Sequence, residues 1–330
     1  MSESQRHTGS GRRGVASEKF EAADAGWDES LQPILTPALR ARVKRLQLQT
    51  SRRMSNAMSG AFRSTFRGSG IEFEEVRPYQ PGDDVRAIDW KVTARARKAH
   101  IKTYREERQL RVHLCVDASA SMDFGSTEAT KREKAAELAA LLSAAAETSR
   151  DLVSLDLFAQ ESLEHLPAAS GSGQTLRVLR AVMGARGAGQ ANLPAAIEAM
   201  EQTLRRHALV FVVSDFRAPA DQDWWSPLAR LGRTQDVVCA RVTDPFEREL
   251  PRIGRVRMLD PETGFEREVD TSSKRVRARW SELAAERDQR FREACLRARA
   301  TPIELDTAQS SADPLLSLFQ RRARRGGGAA

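Results

Sequence analysis

Three aspartates follow three of the most apolar runs in the chain. Val112–Val116 leads into Asp117, Leu209–Val213 into Ser214-Asp215, and Val237–Val242 into Thr243-Asp244. An ionised carboxylate near a core is disfavoured unless it has a partner, so three acids at the ends of three buried strands ask for a common cause. The first run continues as Asp117-Ala118-Ser119-Ala120-Ser121. Oxygen-bearing side chains stand at alternate positions, and the alanines between them are small enough for a tight loop. Such donors suit a hard cation like Mg²⁺, which takes about six oxygens and usually retains waters. The loop alone leaves two readings open: a metal site with a position left for an external oxygen, or an aspartate capping the turn or helix that follows. Asp215, at the end of another strand, favours the first.

Other chemistries fail on their own residues. No Gly-Lys pair exists, which excludes a phosphate-binding loop of the P-loop type. Gly187-x-Gly189 follows an expected helix rather than a strand, so it reads as a flexible connection, not a dinucleotide loop. No GxSxG elbow is present. A phosphatase of the haloacid dehalogenase type begins Asp-x-Asp, and Ser119 occupies the position of its general acid. The five histidines form no HExxH pair, and Cys115, Cys239 and Cys295 are an odd count without CxxC spacing. The cysteines are expected to be small buried hydrophobes, and the chain to be a non-enzyme.

Positioning these residues requires alternating strands and helices. Strands are expected at Val112–Val116, Val153–Phe158, Leu209–Val213, Val237–Val242 and Ile303–Leu305, with an edge strand at Glu161–Leu166. Helices are expected at Lys131–Ser149, Leu176–Met183, Leu193–Arg205, Trp224–Leu231 and Arg275–Arg299. Continuous apolar strands between helices imply an open, mostly parallel sheet covered on both faces, with ligands beyond the carboxyl ends of its strands.

At 330 residues the chain has room for about two domains, and its 40% hydrophobic share allows one sizeable core. The 30% charged share, and the lack of any run near the ~18–20 apolar residues of a spanning helix, exclude an integral membrane protein. The N-terminus is polar, without the apolar run of a secretory signal, so a cytoplasmic location is expected. The net charge of +8 belongs to the flanks. Residues 30–70 contain no acid and eight basic residues, and Arg321, Arg322, Arg324 and Arg325 crowd the C-terminal tail. The expected organisation is a disordered segment over 1–30, a basic amphipathic helical segment over 31–66, a subdomain over 67–110, the α/β domain over 111–310, and a C-terminal helix and basic tail over 311–330. The basic flanks offer a route to nucleic acid or to peripheral contact with an anionic membrane. Solvated charge on a docked helix is the alternative.

Between the flanks and the sheet, Ile71 and Phe73 alternate with glutamates as in a half-buried strand, and Pro81-Gly82 signals a turn. Asp83, Asp84, Arg86 and Asp89 crowd beside Trp90. Either they pair to hold a small subdomain, with Trp90 as bulk to bury, or they form a partner-binding surface.

Asp117-x-Ser119-x-Ser121 resembles the metal-ion-dependent adhesion site of von Willebrand factor A domains. The stretch from Gly70 through Arg77-Pro78-Tyr79-Gln80-Pro81-Gly82-Asp83-Asp84 to Asp89-Trp90-Lys91 resembles, more specifically, the signature of a bacterial family with domain of unknown function 58. Members are often encoded beside MoxR-type AAA+ ATPases. The resemblance continues at Tyr104–Arg108, Asp117–Gly125, Ser214-Asp215-Phe216, Asp244-Pro245-Phe246-Glu247 and Asp260-Pro261-Glu262-Thr263-Gly264, spanning about residues 68–310. It implies a von Willebrand A-like α/β fold with a small N-terminal β-rich subdomain. It also implies Mg²⁺ held by Asp117, Ser119, Ser121 and Asp215, and a MoxR-type AAA+ ATPase as partner in assembling or maturing other complexes. Where that pattern has a threonine ligand this chain has Ala191, which offers no side-chain oxygen; Asn192 offers a carbonyl, or water fills the gap. Asp244 is expected on the partner-facing rim. A client protein would bring the acidic contact. The alternative from another class is a metal-dependent hydrolase using Asp117, Asp215 and Asp244.

Overall fold

The computed structural model describes residue 62 and residues 69–326, except 81–82, 84–87, 97, 188 and 218–221. Asp84, Arg86 and, apart from Phe62, the two N-terminal segments lie outside the described residues. Strand β1 (Ser69–Pro78) pairs antiparallel with β2 (His100–Arg108), with α1 (Trp90–Ala96) between them. This is the small β-rich subdomain. There follow β3 (Arg111–Asp117), α2 (Lys131–Thr148), β4 (Leu152–Phe158), β5 (Ser162–Ala169), α3 (Ser172–Gly184) and α4 (Leu193–Thr203). The chain goes on through β6 (Leu209–Ser214), α5 (Trp225–Leu231), β7 (Asp236–Thr243) and α6 (Pro245–Arg248). The hairpin β8 (Arg255–Leu259) and β9 (Glu266–Asp270), then α7 (Lys274–Arg297), β10 (Thr301–Asp306) and α8 (Ala312–Gly326), complete it.

Six strands form the main sheet in the order β10-β7-β6-β3-β4-β5, all parallel except the antiparallel edge strand β5. The chain leaves β3 toward β4 and β5, then returns to the other side of β3 for β6. The order therefore reverses between β3 and β6, and the crevice of an open α/β sheet opens at that reversal. The apolar strands are buried on both faces. Leu114, Val116 and Val213 pack under α2, α3 and α8, while Cys115, Val212 and Cys239 pack under α4, α5 and α7. The three cysteines are free and buried, as expected. Phe62 also belongs to the first core and meets Phe319 of α8 edge-on, with ring centroids 5.3 Å apart. Arg322 of α8 forks onto Asp236 at 2.6 and 2.9 Å, so one charge of the basic tail is spent on the chain's own sheet.

Two elements depart from expectation. The β8–β9 hairpin has no buried residue in either strand. Only Val256, Met258 and Val269 are half-buried, and so short an apolar alternation in a charged stretch is a weak strand signal in a sequence. Trp90, for which burial as bulk is one of two readings and a partner-binding surface the other, is 70% exposed at the start of α1, against the first.

Gly187 is also more than a slack connection. Its N–H donates to the Ala118 carbonyl at 3.0 Å, and a Cβ there would lie 2.3 Å from that oxygen and 2.6 Å from the Ala159 Cβ. The loop after α3 is therefore seated directly on the Asp117 loop. Gly187→Ala is expected to destabilise the domain by about 1–3 kcal/mol, seen as a lower urea midpoint at unchanged m-value. An unchanged midpoint would contradict the close approach.

Candidate functional site

Asp117 ends β3 opposite Ser214 of β6, at the reversal of strand order. It is 1% exposed. Its Oδ1 accepts the Ser119 N–H at 2.8 Å, and its Oδ2 accepts the Ser214 hydroxyl at 2.6 Å. The first bond folds the loop back on itself, and a single 3₁₀ turn over Ala120–Asp123 follows. The Ser119 and Ser121 hydroxyls are thereby brought to 3.1 Å from each other, both on buried residues. Arg132 of α2 braces the loop from behind: Nη2 donates to the carbonyls of Ala118 (3.2 Å) and Ser119 (3.4 Å), and Nε to Asp123 at 2.6 Å.

Asp215 follows β6 and is 6% exposed. Its Oδ2 takes a hydrogen bond from the Lys131 ammonium at 2.5 Å, and its Oδ1 one from the Arg217 N–H. Lys131 also donates to Glu247 at 2.9 Å, and Glu247 receives Arg217 at the same distance. Next to Asp215 the backbone of Phe216 adopts φ +52°, a conformation that costs a bulky residue about 1–3 kcal/mol. Ring contacts to Trp224 and Phe291, with centroids 5.1 and 4.9 Å away, hold it there.

The acids titrate in opposite directions. Burial and the Asp215 charge push Asp117 up to about 6, against the pull of its bonds from Ser214 and Ser119. Burial also acts to raise Asp215, but the adjoining Lys131 charge outweighs it and holds the carboxyl below its ordinary range. A fourth acid joins from the β8–β9 turn. Glu262 is half-buried, and burial together with the Asp215 charge pushes it up to about 7.

The fold thus brings together Asp117, Ser119, Ser121 and Asp215 and leaves other expected residues elsewhere. Asp244 is fully buried and starts α6. Its oxygens accept the Ser126 N–H and hydroxyl, the Phe246 N–H and the Thr307 hydroxyl. A carboxylate so enclosed is a structural tether, which corrects its assignment to a partner-facing rim and removes the third acid of the hydrolase reading. Asn192 caps α4, its side-chain oxygen accepting the Ala195 N–H at 3.2 Å, so its carbonyl is committed to the helix. Ala191 packs on the second core. Asp83 forks with Arg77 at 2.7 and 2.8 Å and accepts the Gln80 N–H. Asp89 accepts the Val92 N–H at the start of α1. Among the described residues no three His, Cys, Asp or Glu side chains gather as a metal cage, so any cation site here depends on the serines.

Lys131, Glu247 and Glu262 are site residues that the sequence reading did not single out. Lys131 left one trace: a cation in the first turn of a helix opposes the helix dipole and implies a buried acid nearby. Glu247 and Glu262 lay in stretches of the family signature, but nothing local marked either as part of the site.

Sheet order, edge strand and the Asp-x-Ser-x-Ser loop at the reversal define a von Willebrand A-like α/β domain. The chain belongs to the family described as protein of unknown function DUF58, which matches residues 75–290. An uncharacterised protein of Mycobacterium tuberculosis, Rv1480, is 33% identical over 239 residues, covering 70% of this chain and 74% of the relative. An uncharacterised protein of Mycobacterium avium, MAV169, is 34% identical over 113 residues, covering 32% of this chain and 63% of the relative. Among solved structures, BatB from Bacteroides thetaiotaomicron is 16% identical with a TM-score of 0.44, over 65% of this chain and 99% of that one. A von Willebrand factor type A protein from Catenulispora acidiphila is 10% identical with a TM-score of 0.33, over 68% and 43% of the two chains. No helix among the described residues is long and apolar enough to cross a membrane.

Removing Lys131 would strand the buried Asp215 and leave Glu247 to Arg217 alone. Lys131→Met is expected to cost about 3–5 kcal/mol in chemical unfolding at neutral pH. The pH dependence follows from the direction of the Asp215 shift. A depressed carboxyl stabilises the wild-type fold above its ordinary pKa of 3.8, and that contribution is lost as pH falls through the lower folded value. In the variant Asp215 loses the charge that holds it low while its burial still acts to raise it, so the deficit should shrink as it is protonated. A deficit independent of pH between 7 and about 4 would contradict this.

Proposed function

We propose that this chain is a non-enzymatic protein-interaction module whose sheet mouth receives an acidic side chain from a partner across a bound Mg²⁺. The observation that carries this reading is the pair of hydroxyls, Ser119 and Ser121, held 3.1 Å apart over the buried Asp117 at the strand reversal. The donor set fits a hard divalent ion. All its atoms are oxygens, and Asp117 with one incoming carboxylate brings the two negative charges such an ion neutralises. Lys131 and Arg217 offset Asp215 and Glu247, so those acids add no further charge. Ser119 and Ser121 would hold the ion directly, with Asp117 and Asp215 acting through water. Ala191 and the capping Asn192 supply no oxygen, which weakens affinity and leaves the outer position to the partner. Bound there, a cation would supply the positive charge that a partner's carboxylate needs.

The partner we propose is a MoxR-type AAA+ ATPase, with the module acting in the assembly or maturation of other complexes. The family resemblance supports this choice. The enclosure of Asp244 as a tether argues against the hydrolase alternative, which needs that acid beside Asp117 and Asp215.

Capture of a purified MoxR-type ATPase by the immobilised chain tests both parts. Binding in Mg²⁺ is expected to fall at least tenfold, a loss of about 1.4 kcal/mol, with chelator or with Asp117→Ala. Equal capture under all three conditions would remove the metal bridge, and no capture at all would remove the partner.

A further inference from the structure

The main sheet carries its charges unequally at its two ends. Asp117 and Asp215 stand at the carboxyl ends of the strands. At the amino ends, arginines precede four of the five parallel strands: Arg299 before β10, Arg233 before β7, Arg205 and Arg206 before β6, and Arg150 before β4. All five are exposed, and none is in an ion pair among the described residues. Neighbouring strands start in step, with Arg111 opposite Leu152, Val112 opposite Leu209 and Leu209 opposite Asp236. The arginines therefore share one end of the sheet. At about 4.8 Å between strands, β10 to β4 spans about 19 Å.

Helix α8 ends on the same face. Arg322 reaches Asp236, the first residue of β7, and donates to the Thr301 hydroxyl, on the first residue of β10, at 2.9 Å. Its neighbours Arg321 and Arg324 are exposed. The acids in or beside the four loops are already engaged: Asp151 is buried and accepts the Leu110 N–H at 2.8 Å, and Asp236 holds Arg322. The face is therefore positive. A cation at a helix C-terminus offsets the helix dipole, which accounts for one charge per loop but not for the backbone beneath it. Arg150 and Arg299 adopt φ +57° and +55°, the left-handed conformation for which glycine is the ordinary residue at a helix end. Glycine would suit the fold better at both positions, so what arginine adds there is its side chain. Leu296, three residues before Arg299, is 79% exposed.

We propose that this amino-end face docks the chain on an anionic lipid bilayer, with the arginines on the phosphate headgroups and Leu296 at the boundary with the acyl chains. Cations spread over a broad face meet a plane of phosphates together, and each adds to affinity near an anionic surface. A bare leucine among them gains from lipid and has nothing to gain from a nucleic-acid backbone. Phe62, within the acid-free run of residues 30–70, packs on Phe319 of α8, which ties that basic run to the helix that ends on this face. The inference is independent of the cation at the sheet mouth. Docked this way, the chain turns the Asp117 end of the sheet away from the membrane and toward a soluble partner.

Co-sedimentation of the full chain with vesicles tests this, using phosphatidylcholine alone and an equal mixture with phosphatidylglycerol. The wild type is expected to bind the anionic vesicles, to lose binding as salt rises, and to ignore the neutral ones. Arg150→Gly and Arg299→Gly suit the local backbone, so the double variant should keep or raise the wild-type urea midpoint. Its binding to the anionic vesicles should be about 25-fold weaker, about fivefold for each charge removed. Leu296→Gln should weaken binding to the same vesicles. Failure of the wild type to bind them would overturn the proposal. So would undiminished binding by the double variant, whatever its urea midpoint, since residues 30–70 would then be the anchor and the arginines helix caps only. Tighter binding to duplex DNA than to the anionic vesicles, unaltered by Leu296→Gln, would overturn it in favour of nucleic acid.

Discussion

A carboxylate held out of water at the end of the central strand is the constraint around which this molecule is arranged. Asp117 sits at the strand reversal and is almost wholly buried. Burial without compensation would expel its charge, so each oxygen has a donor: the backbone of its own loop and the hydroxyl of the neighbouring strand. Those two bonds fix the loop's path, and the path brings the serine hydroxyls together. Arg132 and Gly187 then matter because they hold that path from two sides.

Four acids share this region, and the fold divides them. Asp215 and Glu247 are matched by Lys131 and Arg217 in a compact network of charge-assisted bonds. Asp117 and Glu262 receive no cationic side chain in the bonds described, and both are held above their ordinary range by burial and neighbouring charge. The same low-dielectric setting that strengthens the first group leaves the second short of positive charge. A site of this kind gains most from whatever brings that charge or relieves the crowding. This imbalance links the packing of a sheet edge to recognition.

The hairpin adds a dynamic side to that electrostatic one. Elements with little buried surface open at low cost compared with the core, and β8–β9 is anchored at its base with no buried residue along its strands.

Much of the architecture was legible in one dimension. Apolar runs such as Leu209–Val213 and helical spacing in Lys131–Thr148 follow from burial alone, and burial leaves a periodic trace in composition. Asp117, Ser119 and Ser121 were legible for the same reason: they are neighbours along a loop, and one strand end positions all three. Asp215 was legible as the end of a second strand. What the sequence could not disclose were pairings between residues far apart in the chain. Asp244 looked like a rim acid until Ser126 and Thr307 closed around it. Lys131 gave no sign of reaching Asp215, and Glu262 lies in the turn of a short, charged hairpin that gives only a weak pattern. Local pattern determined which strands and loops exist. Only the crossing of distant segments at the strand reversal decided which charges meet, because a hydrogen bond depends on ångström-scale placement that sequence spacing does not encode.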